Sequence, residues 1–125
     1  MSSAEPLVSS DRADQFERVA RTSVGDRLRS ITYFTPDDHE QVYLRSDLDA
    51  DADLVGFVEQ ARDGFRANTA YADSELGEYE YTVRRFSDGT LVRVTSGDEG
   101  VFVTAETLTV ERAGETASAL LDLLG

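Results

Sequence analysis

The stretch that decides the fold is residues 78–104, EYEYTVRRFSDGTLVRVTSGDEGVFVT. It contains three runs rich in β-branched and aromatic residues, which are typical of strands. Turn-forming residues separate the runs, and Ser87-Asp88-Gly89 is a hairpin signal. The stretch therefore predicts an antiparallel meander, with strands at Glu78–Phe86, Leu91–Thr95 and Val101–Thr104 and a second turn at Ser96–Gly100.

Upstream of the meander the sequence predicts a hairpin and a first helix. The hairpin has strands at Arg29–Thr35 and Gln41–Arg45, with Pro36-Asp37-Asp38 as its turn. Apolar residues at helical spacing predict a helix over residues 11–23, and Ser10 is its expected N-cap. We expect residues 1–9, which are small and polar, to be a disordered N-terminal segment.

Two further helices complete the predicted order. A stripe of apolar residues predicts a long helix from about Ala52 to Thr69, with Gly56 and Gly64 inside it. Each interior glycine costs roughly 1 kcal/mol relative to alanine, so either the helix packs closely against a sheet or it is shorter than the stripe. The last helix is predicted over Glu111–Leu124.

The element order is therefore α-β-β-α-β-β-β-α. A hairpin, a helix and a meander favour an α+β fold, in which a single antiparallel sheet of about five strands is flanked by helices. We expect residues 10–125 to form a single α+β domain. The order resembles that of roadblock/LC7-like modules, which belong to the wider profilin-like group.

Composition indicates the solvent to which the protein is adapted. All 12 basic residues are arginine, and 25 aspartates and glutamates bring the net charge to −13. Such a charge repels itself strongly in dilute buffer, whereas molar salt shortens the screening length to roughly 3 Å. We therefore expect an acidic surface adapted to a halophilic cytoplasm. The acidic balance and the lack of a basic patch make nucleic acid an unexpected partner.

Several other kinds of chemistry and classes of protein are excluded or unexpected. Without cysteine there are no disulfides and no thiolate chemistry. No signal-peptide pattern opens the sequence and no apolar run approaches the length of a membrane span, so we expect a cytoplasmic protein without membrane contact. No dinucleotide, phosphate-loop, nucleophile-elbow or zinc-protease motif occurs. We therefore predict no cofactor, no catalytic residue and no enzymatic activity.

Three stretches also resemble a family of small acidic haloarchaeal proteins with no assigned function. They are Tyr43–Leu48, Leu76–Arg84 and Gly97–Thr104. The resemblance covers most of residues 26–124 and agrees with salt adaptation. It implies no activity.

The acidic run from Asp47 to Asp53 is the candidate metal site. Carboxylates at alternate positions imitate the start of an EF-hand loop, but the turn glycine and the final glutamate of that loop are missing. The simpler interpretation is an acidic loop in which Asp51 caps the long helix and Asp53 lies in its first turn. We predict no specific metal site, with weak nonspecific cation association at Asp47, Asp49 and Asp51 as the alternative.

Aromatic and basic side chains supply the candidate ligand-binding residues. Tyr71, Tyr79 and Tyr81 could line a pocket with Phe86, or they could fill the core and the sheet face. Strand alternation predicts Tyr79 and Tyr81 on one face with Val83.

The arginines of the meander allow two interpretations. Because Arg84 and Arg85 point to opposite faces, only one of them can join Arg93. Such a pair could hold a phosphate or a carboxylate, or its members could form cross-strand ion pairs with Glu78 or Glu80. The single histidine, His39, has no nucleophile beside it and is interpreted as a solvated loop residue.

Two functions remain open. The first is a non-enzymatic interaction or regulatory module that binds a protein partner or forms a homodimer. The roadblock resemblance implies pairing through a helix and an edge strand, which here means the long helix, including Phe57. The second is a sensing domain with a small-molecule pocket between the sheet and the long helix. The interaction and ligand candidates are Phe57, Tyr71, Tyr79, Tyr81, Arg84 and Arg93.

Overall fold

The computed structural model describes residues 7–49, 52–54, 56–71 and 73–125, and for Asn68 and Thr69 it describes the backbone only. In chain order the elements are α1 (Ser10–Val24), β1 (Leu28–Phe34), β2 (His39–Leu44), α2 (Phe57–Ala70), β3 (Tyr81–Phe86), β4 (Gly89–Ser96), β5 (Glu99–Ala105) and α3 (Val110–Leu124). This confirms the predicted order.

Within the described ranges, the five strands form one antiparallel sheet in the order β2-β1-β5-β4-β3. β5 lies at the centre because it pairs with β1 on one side and with β4 on the other. β2 and β3 are therefore the edge strands. α1 and α3 pack on one face of the sheet, and α2 packs on the other. The predicted α+β class with a single antiparallel sheet is confirmed.

The two faces of the sheet differ in chemistry. The face toward α1 and α3 carries the larger apolar core, whose strand residues include Ile31, Val92, Val94, Val101 and Val103. The face toward α2 has a smaller cluster made of Phe34, Val58, Ala61, Leu91 and Phe102. Strand register places buried polar residues on this second face, namely Ser30, Thr32, Arg93, Thr95 and Thr104. Of these residues, Arg93 donates a hydrogen bond to the backbone of α2, and Ser30 and Thr104 bond with Asp53 in the segment before the helix.

α2 begins later than predicted. The helix starts at Phe57 rather than near Ala52, because Asp53 and Gly56 have φ angles of 65° and 82°. A left-handed backbone at two positions interrupts a right-handed helix. Gly56 therefore precedes the helix, and Gly64 lies inside it. Asp53 is not in the first turn of the helix, and Asp51 lies outside the described residues.

Strand boundaries also differ from the predicted ones. β3 begins at Tyr81 rather than at Glu78, and β5 begins at Glu99 rather than at Val101. Gly100, predicted in a turn, is a buried strand residue that pairs with Phe34 and Thr95.

The N-terminal segment is packed from residue 7 onward. Val8 is buried in the core, and its backbone N–H and that of Leu7 both donate to the Glu40 carboxylate. Ser9, rather than Ser10, caps α1 by accepting a hydrogen bond from the Arg12 N–H. The expected disorder therefore does not hold for residues 7–9, and residues 1–6 lie outside the described residues.

A charged cluster ties α1 to the centre of the sheet. The Arg12 guanidinium donates to both carboxylate oxygens of Glu99 at 2.8 and 3.0 Å, and the Tyr33 hydroxyl donates to Glu99 at 2.7 Å. Burial, followed by the bond to Glu99, raises the pKa of Tyr33 to about 12.

No helix of the described chain is long and apolar enough to cross a membrane.

Candidate functional site

Arg93 stands out because it is a buried cation without a carboxylate partner. Only 4% of the residue is exposed, and it is the one charged residue in the buried class among those described. Its guanidinium donates to the backbone oxygen of Gln60 at 3.0 Å, to the Tyr79 hydroxyl at 3.0 Å and to Thr82 Oγ1 at 2.8 Å. All three acceptors are neutral, and Nε has no partner. The ion pair of Arg93 with Glu78 or Glu80, which was one of the two interpretations from the sequence, is therefore wrong.

The close approach of α2 to the sheet explains the burial of Arg93. Gly64 faces the Arg93 side chain, and a Cβ at position 64 would lie 2.8 Å from Nε and 2.9 Å from Thr95 Cγ2. Only glycine leaves room for the guanidinium beneath the helix. The interior glycine therefore marks close helix–sheet packing, which was one of the two interpretations from the sequence.

Arg84 lies on the same face as Arg93. It pairs with Leu91, which places it diagonally from Arg93, whereas Arg85 pairs with Thr90 and points to the opposite face. Arg84 is exposed and, within the described residues, forms no ion pair. The structure therefore brings Arg84, rather than Arg85, to Arg93.

A cavity of about 290 Å³ lies between α2 and the strands that carry these arginines. Phe57 and Phe86 form one wall, with ring centroids 5.9 Å apart in an edge-to-face arrangement. The lining also includes Gln60, Ala61, Leu91, Arg84 and Arg93. The cavity therefore combines an apolar wall with two guanidinium groups.

The tyrosines do not form one pocket. Tyr79 lies on the α2 side, where its hydroxyl bonds with Arg93 and Thr82 and its ring stacks near Tyr71 at 6.2 Å. Tyr81 pairs with Val94 and packs against the core under α3, near Gly114. The predicted shared face of Tyr79 and Tyr81 is therefore wrong, because Tyr79 precedes the strand and does not follow its alternation. None of the three tyrosines lines the cavity beside Arg93.

A second cavity, of about 380 Å³, adjoins Asp53 and the β3–β4 turn. The Asp53 carboxylate accepts hydrogen bonds from Arg29 Nε at 3.1 Å and from Thr104 Oγ1 at 2.6 Å, and a longer one from Ser30. Burial would raise the pKa of Asp53, but these donated bonds outweigh burial and hold it below its usual range. Asp53 is thus a structural anchor, which the sequence pattern did not reveal.

The described residues of the acidic run form no assembled metal site. Asp47 pairs with Arg45 at 2.7 Å, and Asp53 is held by Arg29. No group of three or more potential ligand side chains occurs among the residues that the structure describes. Asp49 is exposed, as is His39 at the start of β2.

The edge formed by β3 exposes several large apolar side chains. Val83 is 40% exposed and Phe86 is 46% exposed, and Tyr71 and Leu76 in the preceding segment are more exposed still. Together with the cavity, this edge makes the α2–β3 side of the molecule the candidate functional surface.

Comparison with known proteins agrees with this architecture. A family model described as a domain of unknown function, DUF7522, matches residues 14–125. No curated protein matches the sequence. A structure described as MglB with tetrameric arrangement aligns with a TM-score of 0.59 at 10% identity, covering 96% of both chains.

Two further MglB structures align over similar lengths. MglB of Myxococcus xanthus gives a TM-score of 0.55 at 7% identity, covering 95% of this chain and 94% of that one. The gliding protein MglB of Thermus thermophilus gives a TM-score of 0.55 at 12% identity, covering 98% of this chain and 97% of that one. These likenesses confirm the roadblock/LC7-like fold expected from the element order.

Proposed function

The chain belongs to the DUF7522 family, whose function is unknown, and we propose that it is a non-enzymatic interaction module that forms a homodimer. The observation that carries the proposal is the outer edge of β3, which pairs with no strand in the described part of the chain. An unpaired strand edge with exposed apolar side chains is a template for adding another strand. The tetrameric arrangement named for one MglB structure supports self-association as a use of this fold.

The residues of β3 favour one register of pairing. A twofold axis normal to the sheet would join two β3 strands antiparallel and place both α2 helices on one face. A register centred on Val83 sets Val83 opposite its own copy and Arg84 opposite Thr82. A register centred on Arg84 sets two arginines opposite each other, which is destabilising. We therefore assign the Val83-centred register to the homodimer.

The Val83→Asp variant should be a monomer under conditions in which the wild type is a dimer. The substitution places two carboxylates directly opposite each other and removes the central apolar contact. Sedimentation equilibrium in concentrated KCl should give twice the chain mass for the wild type and one chain mass for the variant.

The matched control is Val110→Asp. Val110 is 85% exposed at the start of α3, outside the β3 edge, and an acidic residue is favourable in a first helical turn. This variant should remain a dimer. A wild-type chain that stays monomeric up to roughly 100 μM, a weak protein affinity, would contradict the homodimer, as would dissociation of both variants.

We also propose that this module works in a salt-rich cytoplasm. The net charge of −13 is spread over a surface on which arginine is the sole basic residue type. The apolar cluster on the α2 face is small, so little apolar burial on that face opposes the repulsion between surface charges. Screening by concentrated salt removes that repulsion.

The melting temperature should therefore rise steeply with salt, by more than roughly 10 °C between 0.1 and 3 M KCl. NaCl should act like KCl, whereas sucrose, which acts by exclusion rather than by screening, should act less. Melts at two protein concentrations separate this effect from dimerisation. A melting temperature that stays flat with salt would contradict halophilic adaptation.

A further inference from the structure

We propose that the cavity between α2 and the β3–β4 strands binds a small organic carboxylate with a flat apolar body. The feature that points to it is the combination of Arg93 and Arg84 with the Phe57–Phe86 wall in one cavity. Arg84 and Phe86 lie on β3, the strand assigned to the homodimer, but every residue that lines the cavity belongs to one chain, so the ligand site does not rest on self-association.

The charge around the cavity is uncompensated. Burying a cation without a counter-charge is costly even when neutral groups accept its hydrogen bonds. Five of the other ten arginines have carboxylate partners among the described residues, namely Arg12, Arg21, Arg29, Arg45 and Arg62, and what sets Arg93 apart is that it is buried. Arg93 and Arg84 have none among the described residues, although acidic groups outnumber basic ones. An incoming anion would supply the missing charge.

The hydrogen-bonding capacity of Arg93 is also only partly used. A guanidinium carries five N–H donors. Arg93 donates one bond from Nη1 and two from Nη2, so a second Nη1 hydrogen remains, whereas Nε is buried against Gly64. Arg84, on the neighbouring strand, brings a full set of donors to the same cavity. A carboxylate can accept from both guanidinium groups at once.

The rest of the lining selects the body of the ligand. Apolar side chains form most of the remaining wall, namely those of Phe57, Phe86, Ala61 and Leu91. A cavity of about 290 Å³ has room for one small ring or short chain. A free phosphate needs several polar donors around its oxygens, often from a ring of backbone N–H groups. In this cavity most of the wall is apolar and has no hydrogen-bond donors for a phosphate. The chemistry therefore favours a monoanionic aryl or short-chain carboxylate over a phosphate.

The probe is benzoate, titrated into the ¹⁵N-labelled full chain at constant ionic strength. We expect saturable shifts of the backbone amides of Phe57, Arg84 and Phe86, with a dissociation constant of about 1 mM or tighter. Benzamide has the same shape without the charge and should bind at least about tenfold more weakly. Inorganic phosphate should give no saturable shift at these amides.

Three variants test the assignment. Arg93→Gln should weaken benzoate binding at least about tenfold, and the exposed Arg84→Gln about fivefold. The matched control is Arg85→Gln, which removes the same charge from the opposite face of β3 and should leave the affinity unchanged. Arg84→Gln keeps the test valid if Arg93→Gln does not fold.

The proposal is overturned if benzamide or phosphate binds as well as benzoate, or if Arg84→Gln and Arg85→Gln have equal effects. It is also overturned if benzoate does not bind. These outcomes can be told apart from the failure of the homodimer, because the whole cavity belongs to one chain and the monomeric Val83→Asp variant should still bind benzoate. A chain that binds benzoate but stays monomeric would refute self-association alone.

Discussion

Gly100→Ala is expected to lower the free energy of unfolding by about 2–3 kcal/mol, even though alanine is normally the better residue inside a strand. Gly100 lies opposite Phe34 in the sheet, and the Phe34 ring covers it. A Cβ at position 100 would lie 2.8 Å from both Cε atoms of that ring and closer still to its tip. The ring cannot move aside, because it is fully buried against Phe65 and Phe102 at 5.4 and 6.0 Å.

Thermal or urea unfolding measures this effect, and the melting temperature should fall by roughly 10 °C. A double-mutant cycle assigns the cause. In a Phe34→Leu background, where the ring is gone, Gly100→Ala should cost at least about 1 kcal/mol less than in the wild type.

The control is Gly114→Ala in α3, where the new Cβ meets only the Tyr81 hydroxyl at 3.2 Å. Because alanine favours a helix over glycine by about 1 kcal/mol, this variant should be neutral or more stable. Equal costs of Gly100→Ala in both backgrounds would show that the ring contact is not responsible.

The sequence predicted the strands well because their physics is local. Alternation of β-branched and aromatic residues, interrupted by turns such as Ser87-Asp88-Gly89, required no knowledge of neighbours. The role of Gly100 depends on its cross-strand partner Phe34, which is distant in sequence. In the sequence, Gly97-Asp98-Glu99-Gly100 has the composition of a turn, and only the register shows that its last residue is a strand residue.

The predicted start of α2 was wrong for a related reason. The apolar stripe of this helix extends back to Leu54, which packs against the α2-side cluster although it precedes the helix. Periodicity therefore could not separate the helix from the segment before it. Gly56 was the available signal, since a glycine near a helix boundary often adopts a left-handed conformation.

The candidate site was only partly predictable. Alternation showed that only one of Arg84 and Arg85 can share a face with Arg93, and the structure shows that it is Arg84, which lines one cavity with Arg93. Their lack of acidic partners could not be foreseen, because Glu78 and Glu80 precede the strand and do not follow its register. The burial of Arg93 depends on Gly64, whose missing side chain admits the guanidinium. Composition alone favours an exposed arginine.

Asp53 should be the most costly carboxylate to remove from the segment before α2. Its side chain is 13% exposed and anchors that segment to Arg29, Ser30 and Thr104 on the sheet. Asp53→Ala would leave the partly buried Arg29 without its counter-charge and the mutually bonded hydroxyls of Ser30 and Thr104 with one unmet donor, so we expect a loss of about 3 kcal/mol at pH 7. Asp53→Asn keeps the shape and tolerates the φ of 65°, and we expect a loss of about 1–2 kcal/mol.

The cost of Asp53→Asn should depend on pH in a defined direction. The pKa of Asp53 in the folded chain lies below its ordinary value, so the charged carboxylate stabilises the fold. That stabilisation is complete well above an unfolded pKa of about 3.9 and is lost as pH falls through the folded pKa. Urea unfolding of both chains should give a constant difference from pH 8 to about pH 5 and a shrinking difference below about pH 4.

The matched control is Asp47→Asn. Arg45 likewise lowers the pKa of Asp47, but the Asp47 side chain is 62% exposed, so its ion pair is screened by solvent and salt. This variant should show little loss of stability at any pH, and less in concentrated KCl than in dilute buffer. If Asp53→Asn cost no more than Asp47→Asn, or if its cost persisted unchanged to pH 3, the carboxylate would not be the anchor. The segment before α2 would then be held by the packing of Leu54 against the α2-side cluster.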